Sequence, residues 1–328
     1  MARWVLVGSL ALLAAATTAC TTAARHRCAD FQRGQPPLHV IDLSHKLTAF
    51  RPSSSTAADK RFAADLTQPV CTSRPVSAFS DQMVLVETPD LRTGDGVFKL
   101  NTTVLGENIG TSIDAGAHFV PNRPEVPNPD HRGLADLTVE DLTGPVIVID
   151  ISARVEAELK KNNGIPGRVE VTNFGDASGN VVTAADIDAI ADQITDRSFI
   201  IAYTGWSKFY SSSGPGLEGP YVNGFNYPGF SRGAILRLID VEAIRGVHIN
   251  GVGADNLTVD AGENTGAPTF GPGAFPAHVK GLPRGWKLLE NLANTAAIGR
   301  RPCMLYVGAM NHIGGVAGWA RIFASCAR

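Results

Sequence analysis

The sequence predicts an α/β fold: one domain with a central mixed, partly parallel sheet flanked by helices. Three observations point to it. Val146-Ile147-Val148-Ile149-Asp150-Ile151 is a short continuous apolar run, as a strand buried on both faces would be. Stretches with apolar residues at helical spacing alternate with such runs, the order that builds a partly parallel sheet. A chain of 328 residues, 44% hydrophobic and 18% charged, carries enough apolar material for a sizeable core.

The elements follow in order. His39-Val40-Ile41-Asp42-Leu43-Ser44 opens the folded part as a strand. Residues 51–80, rich in Ser, Thr, Ala and Pro, read as loop. Val84–Glu87 and Val97–Leu105 carry β-type residues. Thr183 with Asp186 three positions on makes a capping box, and Ile187, Ile190, Ala191 and Ile194 then repeat at helical spacing. Ser198–Tyr203 is the strand after that helix. A second pair follows, with Ser231 ahead of Ala234, Ile235, Leu238 and Ile239, and Gly246–Val252 as strand.

The first residues read as an export signal. Arg3 supplies a positive start, Trp4 to Ala19 is apolar or small, and the stretch ends in small residues before Cys20. The run is shorter than the roughly 20 apolar residues a membrane-crossing helix needs. Thr17-Thr18-Ala19-Cys20 is a partial lipoprotein box, and cleavage after Ala24 is the alternative. The chain thus divides into a signal peptide over 1–24, a polar tether over 25–37 and a folded domain over 38–328, with a lipid anchor at Cys20 as its one route to a membrane. Without Cys20, four cysteines remain, an even number suited to an oxidising compartment. Proximity in sequence pairs Cys28 with Cys71 and Cys303 with Cys326. The net charge of −2 gives no sign of a nucleic-acid footprint.

The densest polar cluster in an apolar setting runs from Gly106 to Phe119. In an extended segment, side chains at 108, 112, 114 and 118 share one face, presenting Asn, Ser, Asp and His together. Such residues beside glycine-rich turns more often cap or hydrogen-bond the backbone than do chemistry.

The cluster resembles the signature of the cyclase family of metal-dependent hydrolases, which includes kynurenine formamidase and isatin hydrolase. That signature reads His-x-Gly-Thr-His-x-Asp-x-Pro-x-His. Gly110, Thr111, Asp114 and His118 stand in register, whereas Asn108 and Ser112 replace two ligand histidines and Gly116 replaces the proline. Further stretches match in the same order: Ile41–His45, Leu142–Asp150, Tyr203–Trp206, Tyr227–Ser231 and Gly251–Asp260. His278 and the run starting at Glu290 then complete the series, twelve positions apart.

The resemblance implies a swivelling β/β/α fold. It also implies hydrolysis of an amide bond, either N-formyl or cyclic, in a small-molecule substrate, and homodimers or homotetramers. It carries Asp114, His278 and Glu290 over as ligands of one divalent metal ion, and His118 as general acid/base. Glu290 thereby counts among the catalytic residues, Asn108 and Ser112 fill the remaining ligand positions, and Trp206 lines the substrate pocket. An amide and a hydroxyl are poor zinc ligands, so manganese or another hard ion is expected ahead of zinc. The alternative is a metal-free pocket in a catalytically inactive, exported small-molecule-binding or surface protein. No Gly-x-Ser-x-Gly elbow surrounds Ser112, which argues against a serine hydrolase.

Overall fold

In a computed structural model, the described residues are 38–45, 107–108, 110–118, 130–161, 180–212, 221–223, 226–262 and 275–327, with the strands 49–50, 83–87 and 101–105. The chain separates into Val40–Cys326 and a unit made of Met1–His39 with Ala327–Arg328. The fold belongs to the first of these.

Eleven strands are described: β1 His39–Asp42, β2 Ala49–Phe50, β3 Met83–Glu87, β4 Asn101–Leu105, β5 Ser112–Asp114 and β6 Thr143–Asp150, then β7 Phe199–Tyr203, β8 Gly251–Ala254, β9 Lys287–Glu290, β10 Cys303–Ala309 and β11 Ala317–Cys326. Strands β2, β3 and β4 form a small separate sheet. In the main sheet β6, β7, β8 and β9 run parallel. The pairs β9–β5, β5–β11, β11–β10 and β10–β6 are antiparallel. The sheet is therefore mixed and partly parallel, but it is not open. Strand β5 bonds both β9 and β11, which closes seven strands into a barrel, and β1 adds to the outside of β11. Strand–helix alternation carries no signal for this closure, because it depends on two three-residue pairings between segments far apart in sequence.

The strand period of two sorts the core into two layers. Val146, Phe199, Ile201, Leu289, Leu305 and Ile322 point inward and fill the barrel. Ile149, Ile200, Ala202, Val252 and Leu288 point outward and are covered by helices. Gly253 belongs to the inner face, where a Cβ would stand 2.7 Å from Ile201 and 3.0 Å from Leu289. A full side chain has no room there.

Among the described residues, three helices cover the outer face: α1 (Ser152–Lys161), α2 (Ala184–Asp188) and α3 (Arg232–Arg245). The Thr183 capping box forms, with Thr183 Oγ1 accepting from Asp186 N and Asp186 Oδ2 accepting from Thr183 N. Helix α2 is nevertheless only five residues long, and a 3-10 turn at Ala191–Gln193 replaces its continuation. Three β-branched isoleucines weaken the helix, and Ile187 and Ile194 reach full burial through the turns instead. Helix α3 begins with Ser231 accepting from Ala234 N and ends on Gly246, left-handed at φ 63°. Gly246 is therefore a helix cap and not a strand residue, and β8 starts only at Gly251.

Cys303 and Cys326 face each other across β10 and β11 and are joined by a disulfide. Cys20, Cys28, Cys71 and residues 1–37 lie outside the described residues. Among the described residues no helix is long and apolar enough to cross a membrane.

Candidate metal centre

The centre is built on the outer face of the β5–β9 edge. Ile113 and Leu289 point into the barrel, so Ser112, Asp114 and Glu290 point the other way. The register sets Ser112 opposite Glu290 and Asp114 opposite Leu288, which puts Asp114 and Glu290 diagonally across the strand pair. All three are buried, with Asp114 and Ser112 at 0% exposure.

The rest of the polar cluster arrives by turns. Only residues 112–114 are extended, so the single face expected for 108, 112, 114 and 118 exists for Ser112 and Asp114 alone. Asn108 sits in a turn and donates from Nδ2 to Asp114 Oδ1 at 2.9 Å. His118 closes a 3-10 turn, Gly116–His118, that begins right after β5. Glycine at 116 has a local cause, since a Cβ there would lie 2.6 Å from the Asp130 carbonyl oxygen.

His278 comes from a π-helical turn, Ala277–Gly281, a geometry that often marks functional sites. Its Nε2 lies 3.6 Å from Asp114 Oδ2 and 3.8 Å from Glu290 Oε1, both beyond hydrogen-bond length. Its Nδ1 is 2.7 Å from Asp260 Oδ2. The His118 and His278 rings are tilted at 51° with centroids 5.9 Å apart. One donor atom each from Asp114, His118 and His278 falls within 4.8 Å of the other two. Four residues singled out from sequence therefore converge, although they span positions 114 to 290.

The electrostatics follow from burial. Burial raises the Asp114 carboxyl, but the neighbouring His118 and His278 and the hydrogen bond from Asn108 outweigh it, leaving the group below its ordinary value. At Glu290 the His278 charge is outweighed. Burial, reinforced by the Asp114 charge, pushes that carboxyl up to about 8. Burial works against charge on His278 as well, yet Asp114, Asp260 and Glu290 hold the ring well above its usual value.

The donor set suits a cation. Asp114 Oδ2 and Ser112 Oγ are buried with no hydrogen-bond partner among the described residues, a costly condition that a bound ion relieves for the carboxylate. Two imidazoles and a carboxylate form a recurring three-ligand set for divalent metals that leaves positions open.

Two residues stand apart from the centre. Trp206 is fully buried in the outer core and donates its indole N–H to Tyr221 O at 2.8 Å. The indole is thus packed into the core. His312 pairs with Glu107 at 3.2 Å. Sequence reading also passed over His45. It stacks on Tyr210 at 3.8 Å, and burial lowers its pKa to about 4, so the ring is neutral. His45 helps line a cavity of about 610 Å³, with Ser152, Tyr203, Thr204, Lys208 and Asn294, beyond the C-terminal ends of β6, β7 and β9. In sequence it stands only as the end of the family-like stretch Ile41–His45.

Comparison with known proteins places this architecture in a class. The family model described as "Putative cyclase" matches residues 41–261, and the chain belongs to that family. Isatin hydrolase A from Labrenzia aggregata, bound to benzyl benzoate, superposes with a TM-score of 0.59 at 20% identity, over 89% of this chain and 94% of that one. An isatin hydrolase bound to the product analogue thioisatinate gives 0.59 at 21% identity, over 94% and 99%. Isatin hydrolase A from Ralstonia solanacearum gives 0.59 at 18%, over 92% and 96%. At these identities the likeness is one of fold. Among curated protein sequences, none matches this chain.

Proposed function

We propose that this chain is a metal-dependent hydrolase that opens an amide bond, N-formyl or cyclic, in a small molecule. The observation that carries the reading is the convergence of Asp114, His118 and His278 around a buried, unpartnered carboxylate oxygen. Membership of the cyclase family and a fold shared with isatin hydrolases support it.

Asp114, His118 and His278 would hold the ion. Bound there, a divalent cation polarises a carbonyl and acidifies water. Glu290 stands 3.8 Å from His278 Nε2 and opposite Ser112, placed to hold a proton and pass it to a departing nitrogen. This exchanges the parts that family resemblance gives to His118 and Glu290, because the compact trio includes the histidine. Two imidazoles and a carboxylate can hold manganese or zinc, and the nitrogen donors missing at 108 and 112 weaken zinc the more, which favours manganese or a similarly hard ion.

Metal analysis and hydrolysis of isatin and N-formylkynurenine, for wild type, His118→Ala and Glu290→Gln, form the test. Glu290→Gln is expected to keep manganese and lose turnover, and His118→Ala to lose both. The opposite pattern restores the family's assignment, and a wild type without metal or turnover sinks the hydrolase. A second reading, an inactive exported binding protein, draws on the Asn108 amide, which occupies an oxygen of Asp114. Export itself is part of the proposal. Arg3, the apolar run Trp4–Ala19 and a disulfide that needs an oxidising compartment support it.

A further inference from the structure

We infer that Asp260 is a positioning residue that fixes His278 for cation binding, an inference that rests on the metal-site reading above. Asp260 is completely buried on the segment that follows β8. One of its oxygens, Oδ1, accepts from Ala277 N at 2.6 Å. The other, Oδ2, accepts from His278 N at 3.3 Å and lies 2.7 Å from the ring's Nδ1. A single carboxylate thus ties down the first two amides of the π-helical turn and the ring that the turn carries.

The consequence is chemical as well as mechanical. A neutral imidazole has one lone pair, and the hydrogen bond at one nitrogen decides that the other keeps it. With Nδ1–H given to Asp260, the lone pair is left on Nε2. That atom is the one facing Asp114 Oδ2 at 3.6 Å and Glu290 Oε1 at 3.8 Å. An outer carboxylate of this kind also raises the basicity of a metal-binding imidazole.

Asp260 is itself held rigidly. Its backbone bridges Phe230, with Phe230 N donating to Val259 O at 2.8 Å and Ala261 N donating to Phe230 O at 3.2 Å. The approach is close enough that a Cβ on Gly229 would lie 2.6 Å from the Asp260 carbonyl carbon. Ser231, next in sequence, caps α3. The ring of His278 is therefore referenced through Asp260 to the start of a helix.

The test is calorimetric titration of the intact protein with Mn²⁺, comparing wild type, Asp260→Asn and Asp255→Asn. An asparagine oxygen can accept from Ala277 N or from the ring, but its amide nitrogen cannot accept the other bond. Mn²⁺ affinity of Asp260→Asn is expected to fall 10–100-fold. Asp255 is the control, an equally buried carboxylate that accepts from Thr204 N, Thr204 Oγ1 and Gly205 N away from the centre. Its variant is expected to bind Mn²⁺ like wild type. A second readout needs no metal: in histidine-labelled protein, the Nδ1–H proton of His278 is expected to be protected in wild type and lost in Asp260→Asn. Undiminished Mn²⁺ affinity in Asp260→Asn overturns the inference, and so does an unprotected Nδ1–H in wild type. A wild type that binds no Mn²⁺ but shows the protected proton overturns the metal-site reading alone and supports the placement of the ring by Asp260.

Discussion

Reducing the Cys303–Cys326 disulfide is expected to cost about 3 kcal/mol of stability, nearly all of it through the unfolded chain. The cysteines are 23 positions apart, and releasing a loop of that length returns about 3 kcal/mol of chain entropy to the unfolded state. Little is lost in the folded state. Both side chains are buried in the barrel interior, and the strands that carry them pair from Cys303↔Cys326 through Ala309↔Ala320 without help from the bond. For a domain of this size the loss corresponds to a fall in melting temperature of roughly 5 °C. Urea unfolding of oxidised and reduced wild type is the cleanest assay, because the two forms share every heavy atom and differ only by the two thiol hydrogens. The Cys303→Ala/Cys326→Ala variant removes two buried sulfurs as well and should fall somewhat below reduced wild type. Equal midpoints for the oxidised and reduced forms would refute the reasoning, since a loop closed in one and open in the other cannot leave the unfolded ensembles alike.

Lys287 is buried at the start of β9, where burial lowers its pKa to about 8 although Asp141 lies 3.2 Å away. The unfolded chain keeps that proton up to about 10.5, so it binds more protons between those values. Stability should therefore rise with pH from about 8 to 10.5 by up to about 3 kcal/mol; urea midpoints across that window should show the rise in wild type and none in Lys287→Met. Gly116→Ala drives a Cβ against the Asp130 carbonyl and should cost about 1–3 kcal/mol. Chemical denaturation measures that cost, and a fall in bound manganese should accompany it because His118 ends the same turn. Asn108→His with Ser112→His restores the family pattern and should raise zinc affinity more than manganese affinity. Competitive metal titration decides, and unchanged zinc affinity would count against a cation at this place.

Much of the fold was legible because local chemistry specified it. The Thr183 box, the Ser231 cap and the apolar runs that became β6 and β7 needed only their own residues. Barrel closure was not legible, since β5 is three residues long and nothing in Ser112-Ile113-Asp114 announces two partners. Gly246 misled for a related reason. A glycine before an apolar run reads equally as strand start or helix cap, and only the positive φ distinguishes them. At the centre, Asp114, His278 and Glu290 were found through family resemblance, and period-two reasoning could have supplied Asp114 alone. Asp260 escaped because a carboxylate that holds a ring from behind looks, in sequence, like any loop aspartate.

The three departures from the family signature have a common structural logic. Asn108 does not occupy a vacant ligand place, because it spends its amide on Asp114 Oδ1 and so turns one carboxylate oxygen away from any ion. Ser112 contributes a short hydroxyl opposite Glu290, left without a hydrogen-bond partner among the described residues. Gly116 lets the chain turn tightly under Asp130, which brings His118 back towards Asp114. Two changes thus remove donors on the β5 side, and the third belongs to the turn that supplies His118 from the other. In the proposed site, nitrogen donors lost at 108 and 112 are in part replaced by the histidine that the family signature reserves for proton transfer. Under that exchange the proton-transfer duty needs a new holder. Glu290 is the remaining ionisable side chain of the cluster, and it is the one that burial and the Asp114 charge keep protonated near neutrality. If the proposed exchange of roles holds, a hydrolase with this site should tolerate loss of Glu290 in metal binding while failing without it in turnover.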